Sequence, residues 1–510
     1  MKSFKSFGKF FLTATVMVGM ATSCADLKED VYSEITADEQ AKILGSLSDT
    51  EFDKTVLASY NKFGGLAGHN GLFSINEVSS DELIIPVRGG DWGDGGQWTR
   101  MHRHEYTPTE ESINNTWSML YSAIATANRL IVQLPAAKPD KGPALAAELR
   151  AFRALCYFYL CDMYGNVPVF SKFPVDLTEA VPKPRAEVYN FVEQELNAVY
   201  GSLKKTKTYG RMNFYAAKAL AAKLYLNAGV YKGAPEWDKA IAACDEVLGG
   251  PYAMEADYYS NFKSANEGSK ENIFVLPYDP ITLTGFNLPQ MTLHYASQAT
   301  YKLQDQPWNG YCTTADFYNS YDAADKRKKN FIAGPQVAFD GTSVLVDSSP
   351  DGDPDGPNLN YTPQLNAHYP NCFRQAGARV GKYEFAIGSP NTLANDFPIF
   401  RLADVKLMKA ESLFRKNAGD AAALALVNEM RTRANVPAFA SLTNDNFLAE
   451  LGREKFVEAW RRNDMIRFGK YFTAYSGYKT SLDALCKGVF PIPKGQLEAN
   501  PSLVQSECYR

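Results

Sequence analysis

Sequence features that mark common enzymes and metal proteins are missing from this chain of 510 residues. It has no C-x-x-C pair, no H-E-x-x-H, no G-x-x-x-x-G-K-[ST] and no nucleophile elbow, and only five histidines. Zinc ribbons, zincin metalloproteases and phosphate-loop nucleotide binding are therefore excluded. There is also no excess of positive charge, since 53 Lys and Arg face 57 Asp and Glu. The net charge of −4 disfavours nucleic acid and polyanionic glycans as partners.

The cysteines do not form a disulfide pattern. After Cys24 they number seven, an odd count, and are scattered among predicted helices. Cys156 and Cys161 lie about 140° apart on one predicted helix, which is unfavourable for a bridge. We expect no disulfide framework, and most of these cysteines to be small buried apolar residues.

The N-terminus has the composition of an export signal. Residues 1–23 combine lysines, an apolar run from Phe10 to Met20 and small residues before Cys24. The run is too short for a membrane span of about 20 residues, so we interpret 1–23 as a signal peptide. Its removal with three lysines changes the net charge from −4 to −7. Cys24 follows small residues, as in a lipobox. This predicts that Cys24 is lipidated and that residues 24–45 form a tether. The alternative is an ordinary signal peptide with a coincidental cysteine.

Helical patterns dominate residues 46–510, which we interpret as one domain. Apolar stripes and small-residue faces are separated by Gly, Pro and Asn stop signals, as in packed helix hairpins. A mainly α fold is therefore predicted, a tetratricopeptide-like hairpin scaffold without a strict 34-residue repeat. The predicted helices are Phe52–Phe63, Trp117–Leu134, Leu145–Tyr164, Glu187–Leu203, Asn213–Asn227, Trp237–Leu248, a segment within Phe397–Lys416, Ala421–Ala434 and Asn446–Phe468.

Residues 251–397 lack a sustained helical period and are rich in Gly, Pro, Asn and aromatics. We expect irregular loops and short helices laid over the scaffold. After the last predicted helix, prolines favour an extended C-terminal strap. Charged residues in that helix predict an ion-pair ladder at i, i+4 spacing: Arg453, Glu454, Glu458, Arg461 and Arg462.

Two loops carry candidate ligand-binding aromatics. The Gly-rich stretch from Ser79 to Trp98 holds Trp92 and Trp98, which we expect to be presented from a loop. A second turn, Asp305 to Tyr311, adds Trp308 and Tyr311. Flat rings complement the apolar C–H faces of sugars, and neighbouring polar groups suit their hydroxyls. The polar candidates are Arg88, Asp91, Asp94, Gln306 and Asn309; Trp308 and Trp92 would form one platform, and the alternative is that the rings cover the core.

The sequence gives less support for metal-binding and catalytic residues than for the ligand-binding aromatics. Asp351, Asp353 and Asp355 precede Gly356 as in the opening of an EF-hand loop, but Thr362 stands where a bidentate Glu is expected. A structural Ca²⁺ competes there with a solvated acidic turn.

His102 and His104 form a possible metal pair, although a polar strand face is favoured. The doublets Asp81/Glu82 and Glu110/Glu111 are poor glycosidase pairs, because adjacent residues on a strand point to opposite sides. We therefore expect no catalysis and no cofactor.

Four sequence blocks resemble a known family. FPIFRLADVKLMKAESLFRK (Phe397–Lys416) is similar to the signature helix of the SusD family, also called RagB/SusD nutrient-binding outer-membrane lipoproteins. The other blocks, in family order, are GRMNFYAAKALAAKLYLNAG (Gly210–Gly229), REKFVEAWRRNDMIRFGKY (Arg453–Tyr471) and FPIPKGQLEANPSLVQ (Phe490–Gln505). The resemblance covers nearly the whole chain.

The resemblance implies a non-catalytic lipoprotein on the outer face of the outer membrane. Lys28, Glu29 and Asp30 are similar to the export signal of Bacteroidota surface lipoproteins, with a solvated acidic tether as the alternative. Such proteins capture oligosaccharides and deliver them to a SusC-like TonB-dependent transporter, and the negative charge favours a neutral glycan. Two alternatives remain: a RagB-like peptide-capturing subunit and a surface glycoside hydrolase.

Overall fold

The computed structural model describes residues 37–348 and 356–510, and in these ranges the chain is mainly helical. The predicted fold class is confirmed. The α-helices are α1 (Ala37–Ser46), α2 (Asp49–Lys54), α3 (Leu57–Tyr60), α4 (Leu72–Val78), α5 (Gln97–Arg103), α6 (Glu111–Ala137), α7 (Gly142–Met163), α8 (Arg185–Val199), α9 (Phe214–Leu226), α10 (Ala228–Lys232), α11 (Trp237–Leu248), α12 (Leu288–Thr292), α13 (Gln298–Tyr301), α14 (Ala315–Asn319), α15 (Leu402–Lys416), α16 (Ala421–Arg433), α17 (Asn444–Lys455), α18 (Arg461–Arg467) and α19 (Lys494–Ala499).

Short strands form antiparallel pairs between distant parts of the chain. The strands are β1 (Leu83–Ile84), β2 (Val167–Pro168), β3 (Pro182–Lys183), β4 (Asn272–Leu276), β5 (Cys312–Thr313), β6 (Phe331–Ile332), β7 (Gly334–Pro335), β8 (Asn360–Tyr361), β9 (Arg379–Val380) and β10 (Phe397–Arg401). They pair as β1–β5, β2–β3, β4–β10, β6–β9 and β7–β8. Residues 251–397 are otherwise short helices and loops, as predicted.

The scaffold consists of successive packed helices. Helix α6 packs on α7, α7 on α8, α9 on α11, and α15 on both α11 and α16. The predicted stripe of α7 is buried throughout, including Phe152, Leu155 and Phe158. Asn213, the first residue of a predicted helix, caps α9: its side chain accepts a hydrogen bond from Ala216 N at 2.9 Å.

The predicted last helix is broken, and the predicted ion-pair ladder is a buried network instead. Helix α17 ends at Lys455 and α18 begins at Arg461. Between them, Val457 and Ala459 have φ of 53° and 63°. Their amide N–H groups donate to the carboxylates of Glu82 (2.9 Å) and Glu77 (2.6 Å), which replace the helical acceptors. The break therefore depends on residues more than 370 positions away along the chain.

Other segments also differ from expectation. The predicted tether becomes helical from Ala37, because α1 packs against α6. Helix α19 and a Cys486–Cys508 disulfide, 22 residues apart in sequence, interrupt the predicted extended strap. This bridge corrects the expectation from cysteine spacing. The prediction of buried apolar cysteines is confirmed for five others: Cys156, Cys161, Cys244, Cys312 and Cys372.

One continuous hydrophobic cluster contains residues from Phe52 to Leu503. No helix in the described ranges combines the length and the apolar character required to cross a bilayer. The signal peptide, the lipidation site Cys24 and the export signal lie outside the described residues, and so do Asp351, Asp353 and Asp355.

Candidate functional site

Trp92 and Trp308 meet at the surface of the loop-rich region, as predicted for one platform. Each ring is partly buried and packs against the core cluster. The Trp92 Nε1–H donates to the Trp308 carbonyl oxygen at 2.6 Å, which ties together loops 216 residues apart. We call these two indoles the aromatic platform.

Three further rings lie around the platform: His69, Trp98 and Tyr311. The centre of the His69 ring is 5.1 Å from that of Trp92, 5.9 Å from that of Trp308 and 6.1 Å from that of Tyr311. Trp98 packs against His69 at 5.5 Å and Tyr311 at 6.1 Å. The contacts of His69 with Trp92, Trp308 and Tyr311 are edge-to-face, those of Trp98 are tilted, and such contacts hold the rings in fixed orientations.

The backbone of Trp92 is strained. Its φ of 61° is uncommon for a bulky residue. Arg88 and Asp91 exchange two backbone hydrogen bonds of 3.0 Å that close the turn before it. On the other loop, a Cβ on Gly310 would lie 2.3 Å from the Trp92 ring, so only glycine permits this approach. Strained backbone held by its surroundings is typical of ligand clamps.

The Trp308 loop is positioned by helix α12. Trp308 N donates to Gln290 O at 2.7 Å, and Gly310 N and Tyr311 N both donate to Met291 O. Strand β5, directly after Tyr311, pairs with β1, directly before the Trp92 loop. The two loops therefore leave adjacent strands, which explains why Trp92 and Trp308 meet.

Four sequence-predicted site residues are buried and support the platform instead of lining it. Trp98 lies in the first turn of helix α5 instead of in a loop, and is 1% exposed. Tyr311 is fully buried, with its hydroxyl 2.6 Å from Ser74 Oγ. The guanidinium of Arg88 is buried against the carbonyl oxygens of Phe373 and Ala376.

Asn309 donates to Arg374 O at 3.1 Å and accepts from Arg379 at 2.7 Å. These four side chains are enclosed in the structure. The exposed candidates are Asp91, Asp94 and Gln306, around the partly exposed rings of Trp92 and Trp308. Asp94 also accepts from Trp98 Nε1 at 2.8 Å.

A cavity of about 410 Å³ opens beside the platform. Asp91 and Gln306 from the two platform loops line it, together with Tyr295, whose hydroxyl donates to Asp91. Burial and this contact raise the pKa of Tyr295 to about 12, so it stays a neutral donor. The other lining residues are His294, Ala296, Val346, Asp347, Ser348 and Arg374.

Sequence reasoning missed His69 and Tyr295. His69 lies in a glycine-rich stretch, and as one of only five histidines it carried a weak signal. Tyr295 is one of 29 tyrosines in an irregular segment, and nothing in its local pattern distinguishes it. Both residues join the site through contacts with residues about 200 or more positions away.

The carboxylate doublets are structural. Glu82 accepts from Val457 N, and Asp81 forms an ion pair with Arg461 at 2.6 Å. Glu110 pairs with Arg100 at 2.7 Å. Sequence reasoning was correct to set these doublets aside.

The histidine pair is not a polar strand face, contrary to expectation. His102 lies in α5 and His104 ends it with a φ of 58°. Both rings are buried; His102 contacts Val78 O and Ser476, and His104 lies 2.6 Å from Asp483. Across the described residues, no three His, Cys, Asp or Glu side chains are grouped so as to hold a metal ion.

Comparisons with known proteins match most of the chain. The family model described as "SusD family" matches residues 270–509, and one described as "Starch-binding associating with outer membrane" matches residues 87–226. The starch-binding protein SusD of Bacteroides thetaiotaomicron is 25% identical over 489 residues, covering 86% of this chain and 85% of the relative. A SusD-like protein of Bacteroides ovatus is 24% identical, covering 79% and 76%.

Solved structures share the fold. Surface glycan-binding protein A from Bacteroides thetaiotaomicron, in complex with laminarihexaose, superposes with a TM-score of 0.72 at 22% identity, covering 90% of this chain and all of that one. A laminarin-binding SusD-like protein gives a TM-score of 0.71 at 23% identity, covering 91% and 100%. The helical scaffold seen here is thus an established architecture.

Proposed function

Because the chain belongs to the SusD family, we propose that it captures a neutral oligosaccharide on the aromatic platform and delivers it to a SusC-like TonB-dependent transporter. The observation that carries the proposal is the convergence of Trp92 and Trp308, partly exposed and linked by a hydrogen bond of 2.6 Å. Sugar rings would stack on the indoles while Asp91, Asp94 and Gln306 take hydroxyl groups.

Neutral glucans are the first ligands to test. One relative is named for starch, and one structural neighbour was solved with laminarihexaose; both are uncharged glucose polymers. The exposed charged groups at the platform rim, Asp91 and Asp94, are acidic and disfavour anionic sugars. Stacking with a few hydrogen bonds gives Kd values on the order of μM to mM, which permits release to the transporter.

The chain is a binding protein and not an enzyme, as are the relatives named above. It associates with the outer membrane, as the family description states. The proposal adds a lipid anchor at Cys24 and an outward-facing orientation. A Cys24→Ala variant should then be released from the membrane fraction; retention at the wild-type level would contradict the anchor.

Affinity electrophoresis tests the capture function. The purified protein is run through native gels containing starch or laminarin, beside Trp92→Ala and Trp308→Ala variants. Trp237→Ala is the matched control, because Trp237 is also partly buried but lies on scaffold helix α11. We expect retardation that both platform variants lose and the control keeps, without new reducing ends.

Two results would contradict this function. Equal retardation of the platform variants and wild type would exclude the aromatic platform as the glycan-binding site. Binding of peptides but of no glycan would favour the RagB-like alternative, because peptides bind mainly through backbone hydrogen bonds.

A further inference from the structure

His69 has a central position in the site that the proposed function does not use. Its ring contacts all four other rings of the cluster, with centre distances between 5.1 and 6.1 Å. Its backbone N–H donates to Asn287 Oδ1 at 3.0 Å, and its Nδ1 lies 3.1 Å from the Tyr311 hydroxyl. It is the one imidazole among these five rings, the side-chain type whose unperturbed pKa lies nearest to neutral pH.

We propose that His69 is a positioning residue for the aromatic platform, and that glycan binding requires its neutral form and weakens on acidification. This inference rests on the proposed function and adds a pH response to it. No contact between His69 and the sugar is needed.

Partial burial of His69 favours the neutral imidazole. Loss of water lowers its pKa from the usual value, while the carboxylates of Asp94 and Glu111 act in the opposite direction. A sugar stacked on Trp92 and Trp308 would exclude more water from the partly exposed imidazole that contacts both indoles. Binding would therefore lower the pKa of His69 further and release a proton wherever the free protein is protonated.

Protonation would also disturb the hydrogen bonds that orient the rings. A protonated Nδ1 can only donate, so the Tyr311 hydroxyl could no longer donate to it and would have to accept from it and turn its own proton to Ser74 Oγ, which lies at 2.6 Å. The positive charge would draw the imidazole toward Asp94, whose carboxylate already accepts from Trp98 Nε1 at 2.8 Å. Trp92 and Trp308 would lose the ring against which both pack.

The first experiment measures affinity against pH. Calorimetry with laminarihexaose and with a linear malto-oligosaccharide is run at pH 5.0, 6.0 and 7.5 in two buffers of different ionisation enthalpy. We expect affinity to fall as the pH is lowered through the pKa of His69 in the free protein, towards a limit of about tenfold for each unit by which the glycan lowers that pKa. Proton release should accompany binding at pH 5.0.

Variants identify the group responsible. His69→Phe keeps a ring but cannot titrate, so its affinity should be independent of pH, whereas His69→Gln should bind weakly at every pH. His294→Gln removes the histidine of the adjacent cavity and should keep the acid response. The proposal is overturned if wild-type binding does not change with pH, or if the response persists in His69→Phe or disappears in His294→Gln.

A second measurement separates this inference from the proposed function. If neither glycan binds, the proposed function is contradicted. Whether His69 orients the rings can then still be tested in the free protein. Near-ultraviolet circular dichroism should change between pH 7.5 and 5.0 in wild type and not in His69→Phe. An identical change in both proteins, or none in either, would overturn the positioning role.

Discussion

Gly310 shows how a single residue controls the platform. A Cβ there would lie 2.3 Å from the Trp92 ring, well inside van der Waals contact. We predict that Gly310→Ala displaces the indole and weakens glycan binding by at least about tenfold, roughly the contribution of one stacked ring. Gly93→Ala is the matched control, because Gly93 has a φ of −66° and open space around its Cβ position. Equal affinities of the two variants would show that the indole position does not determine binding.

Two buried carboxyls, Glu77 and Glu82, give a pH prediction. Burial raises the pKa of Glu77 to about 7 and raises that of Glu82 as well. A carboxyl with a raised folded-state pKa binds its proton more tightly in the folded protein, so its contribution to stability falls as pH rises from about 4.5 to 7. Buried histidines with lowered pKa values act in the opposite direction, so the test is a difference between variant and wild type.

Glu77→Gln keeps an acceptor for Ala459 N but cannot ionise. The stability of this variant minus that of wild type should be greater at pH 7.5 than at pH 5.0, by on the order of 2 to 3 kcal/mol. Urea unfolding at the two pH values measures this. A difference that does not change with pH would show that Glu77 is ionised in the folded protein throughout this range.

The junction of β10 and α15 depends on a charged network in the interior. Fully buried Arg401 contacts Glu458 at 2.6 Å and Glu271 at 2.6 Å, and Lys382 contacts Glu458 at 2.5 Å. Glu458→Gln would leave buried cations without their partner, so we predict a loss of about 3 to 5 kcal/mol in urea unfolding. Glu498→Gln is the control, because the Lys494–Glu498 pair is about two-thirds exposed and should not measurably affect stability. Similar effects of the two changes would contradict the structural role of the network.

Local patterns predicted elements that depend on local interactions. Helices α7, α9 and α15 correspond to predicted helices, because their apolar spacing and stop signals are local. The break between α17 and α18 does not follow from such local patterns, because it is stabilised by Glu77 and Glu82 from a distant part of the chain. The sequence predicted Trp92 and Trp308 as candidates because tryptophans in irregular loops are conspicuous. His69 and Tyr295 carry no such local signal and join the cluster only through contacts with distant residues.

Contacts join described residues that are far apart in the sequence. Asp81 pairs with Arg461, 380 residues apart, and the hydrophobic cluster contains residues from Phe52 to Leu503. Chains of this length usually divide into several domains that unfold separately. The shared core predicts a single unfolding transition. The unfolding curves measured by far-ultraviolet circular dichroism and by tryptophan fluorescence should therefore coincide.

Bound glycan tests whether binding is coupled to unfolding of the whole chain, because the two platform loops leave the same end of the β1–β5 pair, which joins distant parts of the sequence. A glycan at about 100 times its Kd stabilises the folded state by about 2.7 kcal/mol if folding and binding are coupled. The unfolding midpoints reported by circular dichroism and by tryptophan fluorescence should then rise together. This rise should be absent in the double variant that carries both Trp92→Ala and Trp308→Ala. A rise of the midpoint seen by tryptophan fluorescence alone would mean that the platform loops unfold separately from the helical scaffold.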